Sequence, residues 1–189
     1  MEEKKYAVLI DGDNISSKYL DSILNEMTKY GIATYKRIYC DFTSQQSSKW
    51  RRLVRDSGIQ AMQQFANTVG KNATDSTLII DAMDILYTGN VDGFCIVSSD
   101  GDFTRLAIRL KESGMDVIGM GESKTPRSFR AACTVFTDLE ILYEAESEDD
   151  EISTKGKKPA VKHNVVKVSE IENCLLYTSP SPRDMRRSR

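Results

Sequence analysis

Two short turns that share the tripeptide Asp-Gly-Asp hold the residues with the clearest capacity for chemistry. The first turn, Asp11–Asp13, follows the apolar run Tyr6–Ile10, and the second, Asp100–Asp102, follows Gly93–Val97. Each run predicts a buried strand, and in an open parallel α/β sheet sites form outside the carboxyl ends of the strands. Carboxylates gathered there repel one another unless a cation neutralises them, and hard oxygen ligands suit Mg²⁺ or Mn²⁺. The chemistry most often run at such sites is attack at phosphorus.

A third acidic position, Asp75, begins a predicted helix over residues 74–88. Apolar residues follow it at offsets of 4, 7, 8 and 11, namely Ile79, Ala82, Met83 and Leu86. This spacing places Asp75 at the N-terminal end of the core-facing stripe. A carboxylate is expected there only if it faces a polar cavity. On the same helix, Asp84 is predicted to face solvent and Asp81 to be intermediate.

Each of these acids also has an ordinary structural interpretation. Asp75 and Asp100 suit helix N-caps, and Asp13 suits a turn that precedes a helix. Capping accounts for one acid per turn, however, whereas both turns carry two. It also leaves Asp75 unexplained at the head of an apolar stripe, so we favour a shared metal site.

The glycines of the two turns, Gly12 and Gly101, are expected to let the chain turn tightly and a phosphate approach closely, because they lack a Cβ. Neither turn contains a G-x-G-x-x-G or Walker sequence, so a nucleotide cradle is not indicated.

Apolar runs alternate with amphipathic stretches from residue 6 to about residue 145. This alternation predicts a three-layer α/β/α sandwich with a mainly parallel central sheet. The predicted strands are residues 6–10, 33–40, 59–65, 94–97, 116–120 and 134–136. The predicted helices are residues 16–30, 45–57, 74–88, 103–113, 126–132 and 138–146, several of them stopped by a glycine.

Composition excludes several classes of protein. The 189 residues are 40% hydrophobic, which suffices for one domain with a core, and no run approaches the ~20 apolar residues of a membrane span. The N-terminus leads straight into a strand, which indicates no signal peptide. The four cysteines form no C-x-x-C pair, so we expect a reduced, cytoplasmic protein. The only histidine, His163, lies in a polar tail, which argues against zinc and against histidine acid–base catalysis.

The far end of the chain differs from the rest in charge and composition. Residues 144–151 contain six acids and residues 155–162 contain four lysines, so residues 147–173 are predicted to be a charged, flexible linker after a domain of residues 1–146. Residues 174–189 resemble the translation of a sequencing-adapter read-through and are expected to be non-native. The net charge of −2 gives no general argument for nucleic-acid binding.

Three segments, "YAVLIDGDNIS", "GKNATDSTLIIDAMDIL" and "FCIVSSDGDFTRLAIRLKESGMDVIGMG", together resemble the NYN domain, the LabA-like (DUF88) branch of the PIN-like nuclease superfamily. The resemblance covers residues 4–143 and implies a PIN-like fold. It also implies a Mg²⁺- or Mn²⁺-dependent ribonuclease that hydrolyses RNA phosphodiester bonds. The acids that it marks as catalytic and metal-binding are Asp11, Asp75, Asp100 and Asp102. It further matches Asn14 to a polar site residue and Asp81 to a recurrent acid that supports the ligands.

The predicted substrate contacts surround these acids and are Asn14, Asp13, Ser99, Lys71, Lys124 and Arg127. Arg130 is a further basic residue after the fifth strand. A second basic cluster on the second helix contains Lys49, Arg51, Arg52 and Arg55. Trp50 lies within that cluster, and we expect it in the core rather than as a platform for base stacking.

Two alternative functions stay open. Asp11-Gly12-Asp13 also fits a haloacid-dehalogenase-like phosphatase, in which the first Asp is the nucleophile and the second the acid. Against this, Ile15 replaces the usual threonine or valine, and Asp75 has no role. The other alternative is a non-catalytic, RNA-binding regulatory module. The expected partner is single-stranded RNA, with no membrane. Homodimerisation is left open, and some members of the family carry a C-terminal LOTUS RNA-binding domain, which would fit a domain missing after the linker.

Overall fold

The computed structural model describes residues 3–45, 47–64 and 73–155. Residues 1–151 form one compact unit, and residues 152–189 form a second, of which only the helical residues 152–155 are described. The strands are β1 (Lys5–Asp11), β2 (Ile32–Cys40), β3 (Gln60–Gln63), β4 (Gly93–Val97), β5 (Asp116–Gly121) and β6 (Val135–Asp138). The helices are α1 (Leu20–Met27), α2 (Ser48–Ser57), α3 (Ala73–Thr88), α4 (Thr104–Glu112), α5 (Arg127–Ala132) and α6 (Leu139–Lys155).

The six strands form one sheet in the order β3-β2-β1-β4-β5-β6, and every neighbouring pair is parallel. β1 and β4 lie at its centre and are buried along almost their whole length, which explains why their sequences are continuous apolar runs. The strand order reverses direction between β1 and β4. The α/β prediction is therefore confirmed.

Helices cover both faces of the sheet, so the molecule has three layers. On one face α1, α2 and α6 pack over alternate residues of β1, including Val8 and Ile10. On the other face α3, α4 and α5 pack over the residues between them, including Ala7 and Leu9. This arrangement is the predicted α/β/α sandwich of PIN-like type. No helix among the described ranges is long and apolar enough to cross a membrane.

The predicted elements differ from the structure mainly at their ends. Helix α1 begins four residues later than predicted, after a 3-10 turn at Ser17–Tyr19, and helix α6 continues to Lys155 rather than ending at Glu146. The acidic run that predicted a linker from residue 147 is thus helical at its start, as its glutamates allow. The rest of the predicted linker, the suspected adapter-derived tail and the end of the third predicted strand lie outside the described residues.

Candidate metal centre

The two Asp-Gly-Asp turns meet where the strand order reverses. Ile10 pairs with Val97 in the parallel ladder, so the chains that leave β1 and β4 emerge side by side. In doubly wound sheets this reversal opens a crevice between helices that leave the sheet on opposite faces. Asp11 is the last residue of β1, whereas Ser98 and Ser99 separate Asp100 from the end of β4.

Asp11 is fully buried, and both of its carboxylate oxygens accept hydrogen bonds. Oδ2 accepts from Ser98 Oγ at 2.7 Å and from Asn14 Nδ2 at 2.8 Å, and Oδ1 accepts from the backbone N–H groups of Asp13 and Asn14 at 3.3 Å. Burial raises the pKa of Asp11, although the bonds from Asn14 and Ser98 act in the opposite direction. The side chain is therefore held in one orientation at the base of the crevice.

Ser98 is the residue that the sequence interpretation missed. Its buried hydroxyl donates to Asp11 Oδ2 and accepts from the backbone N–H of Asp100 at 3.0 Å. One hydroxyl thus joins the last residue of β1 to the turn after β4. The sequence signal for this role was a small hydroxyl residue directly after a buried apolar strand. That signal could be interpreted only once β1 and β4 were known to be neighbours.

The second turn carries two carboxylates that differ in burial. Asp100 caps a 3-10 turn at Gly101–Phe103, and its Oδ1 accepts from the Asp102 N–H at 3.0 Å. Asp100 is partly buried and Asp102 is exposed. The N-cap interpretation of Asp100 is therefore correct, and it coexists with a place for the same residue in the acidic cluster.

Asp75 completes this cluster from α3, which packs on the same face of the sheet as α4. It lies in the first turn of α3, and one carboxylate oxygen each from Asp75, Asp100 and Asp102 lies within 4.8 Å of the others. Burial, together with the charges of Asp11, Asp100, Asp102 and Asp13, raises the pKa of Asp75 to about 6. These three carboxylates, hereafter the acidic triad, are a donor set of the type that divalent cations with hard oxygen ligands require.

The first turn is held in place by contacts on two sides. Asp13 Oδ2 accepts from Thr74 Oγ1 at 2.8 Å, which links this turn to the start of α3. Trp50 is buried in the core, as predicted, and its indole N–H donates to the Gly12 carbonyl at 3.1 Å. A Cβ on Gly12 would lie 2.9 Å from Ile38 Cδ1, so this glycine allows β2 to pack close to the turn. Its φ is not positive, and tight turning is not its role.

Several of the predicted substrate contacts have partners within the protein. Asn14 donates to Asp11, and the nearly buried Ser99 Oγ accepts from the Glu122 N–H at 2.9 Å. Lys124 pairs with Glu122 at 2.8 Å but keeps most of its side chain exposed. Arg127 begins α5 and is exposed. Lys71 lies outside the described residues.

Two further polar residues prove to be structural. Arg130 donates to the backbone carbonyls of Thr125, Glu122 and Ser123, so it fixes the loop after β5. Asp81 accepts from Arg37 and from the Tyr39 hydroxyl, both of which lie on β2. Asp81 therefore fastens the middle of α3 to the sheet, and it is partly buried, as the helical periodicity predicted.

Residues 5–140 match the NYN domain family, and the chain belongs to this family of the PIN-like nuclease superfamily. The chain is 26% identical over 174 residues to the uncharacterized protein MJ0482 of Methanocaldococcus jannaschii. That match covers 89% of this chain and 66% of the relative, slightly less than two thirds of its length.

A similar fold occurs in the crystal structure of a protein of unknown function, VPA0982, from Vibrio parahaemolyticus. The two align with a TM-score of 0.61 at 19% identity, over 73% of this chain and 96% of the other. This likeness supports the architecture of the sheet and its two helical layers.

Proposed function

We propose that this protein is a metal-dependent ribonuclease that hydrolyses phosphodiester bonds of single-stranded RNA. The observation that carries the proposal is the acidic triad, in which carboxylate oxygens from two separate segments lie within 4.8 Å of one another. A protein does not gather such charge without a cost in stability, and a bound cation removes that cost. Membership of the NYN family supports the same activity.

The residues divide into two roles under this proposal. Asp75, Asp100 and Asp102 would hold Mg²⁺ or Mn²⁺, since their oxygens are close enough to share one ion. Asp11 lies behind them, oriented by Ser98 and Asn14, and would complete the ligand set or orient a metal-bound ligand by its charge. When bound, the ion would lower the pKa of a water molecule and neutralise negative charge on the phosphate. No side chain of this chain needs to act as a nucleophile.

The wider biological setting follows from the same proposal. A cytoplasmic ribonuclease of the LabA-like branch, with RNA as its partner and no membrane association, agrees with the reduced cysteines Cys40, Cys95 and Cys133. Lys124 and Arg127, on the loop and helix after β5, are proposed to contact substrate phosphates. Homodimerisation and association with a LOTUS-type RNA-binding domain also belong to the proposal.

The test is cleavage of end-labelled single-stranded RNA by the full chain with Mn²⁺ or Mg²⁺. We expect cleavage by the wild-type protein that is removed by EDTA and by Asp100→Asn. Asp84→Asn is the matched control, because it removes one exposed carboxylate from the outer face of α3. Retained RNA binding without cleavage would instead favour the non-catalytic, RNA-binding module.

The phosphatase alternative makes the opposite prediction for two residues. In that mechanism Asp13 is the acid, so Asp13→Ala should abolish activity and Asp75→Ala should matter little. In the structure Asp13 bonds to Thr74 and lies outside the triad, whereas Asp75 belongs to it. We therefore expect Asp75→Ala to cause the greater loss. The reverse ranking, with turnover of a phosphate monoester, would support the phosphatase.

A further inference from the structure

A groove leads away from the first Asp-Gly-Asp turn across the start of α2. Its inner part has a volume of about 560 Å³ and is lined by residues that include Asp13, Asn14, Ser44 and Lys49. Its outer part, of about 640 Å³, is lined by residues that include Lys18, Lys49 and Arg52. Ser16, Ser17 and Lys49 line both parts, so the groove is continuous from the turn beside Asp11 to Arg52.

The charge of the groove changes along its length. At the inner end Asp13 and Glu122 contribute negative charge, although Lys124 pairs with Glu122. At the outer end Lys18, Lys49 and Arg52 face a single acid, Asp21. The groove therefore becomes positive with distance from the first Asp-Gly-Asp turn.

Two of the outer cations are available to a ligand. Lys49 and Arg52 are exposed, and within the described ranges neither has an ion-pair partner. They are three residues apart on α2, so they lie on one face of the helix. Lys18, in contrast, lies over the rings of Tyr19 and Tyr143 at 4.6 and 5.2 Å.

The floor of the groove is rigid where it meets the first turn. Trp50, between the two cations in sequence, is buried and bonded to the Gly12 carbonyl. Ser47, just before α2, donates to the Asp41 carbonyl at 2.7 Å. The position of Lys49 is thus tied to the turn that carries Asp11 and Asp13.

We infer that this groove, with Lys49 and Arg52 as its phosphate contacts, binds the backbone of single-stranded RNA on one side of the bond that is cut. The inference rests on the proposed ribonuclease function and assigns a substrate path to it. The exposed Ser16 and the partly buried Ser17 line the groove, and their hydroxyls can donate to phosphate oxygens without selecting a base. The groove contributes affinity that is independent of sequence and sensitive to salt.

The experiment compares two double variants of the full chain that change net charge equally. Lys49→Glu with Arg52→Glu alters the groove, whereas Arg109→Glu with Lys111→Glu alters the exposed C-terminal end of α4, on the opposite face of the sheet. Both are made in an Asp100→Asn background, and binding of a labelled RNA strand of about 12 nucleotides is followed by fluorescence anisotropy. Cleavage by the wild-type chain with Mn²⁺ is measured separately.

We expect the groove variant to bind RNA at least about 10-fold more weakly than the α4 variant at low salt. The slope of log affinity against log salt should fall by about 1.4, which is about 0.7 for each of two lost phosphate contacts. Lys49→Gln with Arg52→Gln should show a smaller loss in the same direction, which excludes an effect of introduced repulsion alone. Circular dichroism checks that each variant is folded.

The outcomes separate this inference from the proposed function. If the wild-type chain cleaves RNA but the groove and α4 variants bind it equally well, the groove is not the RNA-binding site, and the proposed ribonuclease activity is retained. Weaker binding by the groove variant without wild-type cleavage would support the groove and overturn the ribonuclease. Wild-type protein that neither binds nor cleaves RNA would overturn both.

Discussion

The two Asp-Gly-Asp turns have identical residues and lie on neighbouring strands, yet their carboxylates have different environments. Asp11 is inside β1, is fully buried and accepts hydrogen bonds on both oxygens. Asp100 stands three residues beyond the end of β4, is partly buried and contributes to the acidic triad. The offset from the strand end therefore determines what the same tripeptide does.

The two turns also differ in how the charge of their carboxylates interacts with the surrounding groups. The first turn supplies a negative charge that Ser98 and Asn14 stabilise with direct hydrogen bonds. The second turn supplies two carboxylates of the acidic triad, and their charge also raises the pKa of Asp75. The first turn thus holds a buried carboxylate in place, and the second contributes two of the three carboxylates of the acidic triad.

The largest expected effect distinguishes one acid of each turn, Asp100 of the second turn and Asp13 of the first. Asp100→Asn should lower Mn²⁺-dependent RNA cleavage at least about 100-fold, because it removes a member of the acidic triad. Asp13→Asn should lower it far less, since Asp13 lies outside the triad. Single-turnover cleavage assays and calorimetric Mn²⁺ titration of both variants measure this. Equal losses would mean that the two turns share one role.

Ser98→Ala should have the next largest effect, because Ser98 joins the two turns. We expect cleavage to fall about 10- to 100-fold, the range for residues that orient metal ligands. Loss of the buried hydroxyl should also lower the free energy of unfolding by about 1–3 kcal/mol. Ser98→Thr is the rescue control, since it restores a hydroxyl. An activity unchanged in Ser98→Ala would show that the turns act independently.

Asp75 should make the metal-free protein less stable as pH rises. Its pKa is about 6 in the folded chain and near 4 when unfolded, so the folded state binds its proton more tightly between these values. Its contribution to stability is therefore fully present below pH 4 and is lost as pH rises through 6.

Two variants test this pH dependence by thermal unfolding in EDTA. At pH 7 Asp75→Asn should raise Tm by about 3 °C after allowance for solvent screening, and at pH 4 it should not. Asp84→Asn, on the exposed face of the same helix, should show no such difference. Saturating Mn²⁺ should reverse the order at pH 7, because only the wild type retains the acidic triad. A gain in Asp75→Asn that is independent of pH would contradict the assignment.

The glycines of the two turns provide the smallest contrast. A Cβ at position 12 would lie 2.9 Å from Ile38 Cδ1 and 3.2 Å from Cys40 Cβ, whereas one at position 101 would meet Pro126 at 3.3 Å. Gly12→Ala should therefore lower the free energy of unfolding by about 1–2 kcal/mol, and Gly101→Ala by less than about 1 kcal/mol. Urea denaturation resolves the two, and the opposite ranking would show that the second turn is the tighter.

Much of the fold could be predicted from the sequence, because buried parallel strands are continuous apolar runs and several helices stop at glycine. The cores of β1 and β4 follow from local sequence patterns. Of the predicted stripe of α3, Ala82 is fully buried and Ile79, Met83 and Leu86 are partly buried, whereas Leu78, which was not predicted, is fully buried. The start of α1 and the end of α6 were not predicted correctly, because the sequence only weakly indicates a 3-10 turn or a helix in an acidic run.

The candidate site was predictable only in part, for a physical reason. Three acids could be identified from their residue type and their positions at strand and helix ends, and the structure brings them together: Asp75, Asp100 and Asp102. The partners of Ser98 and Gly12 lie on other strands, so their roles depend on which strands are neighbours. The partner of Ser99 is also distant in sequence, because its hydroxyl accepts a hydrogen bond from the Glu122 N–H.

The strand order also has a consequence for the chain during its synthesis. β1 pairs with β2 early, but its other edge is covered only by β4, which begins more than eighty residues later at Gly93. Until then a nascent chain exposes an apolar strand edge of the kind that pairs with other chains. Asp11 also lacks its Ser98 partner during that interval. The same late pairing that protects β1 from aggregation assembles the acidic site, so a chain interrupted before β4 is both unprotected and without its second acidic turn.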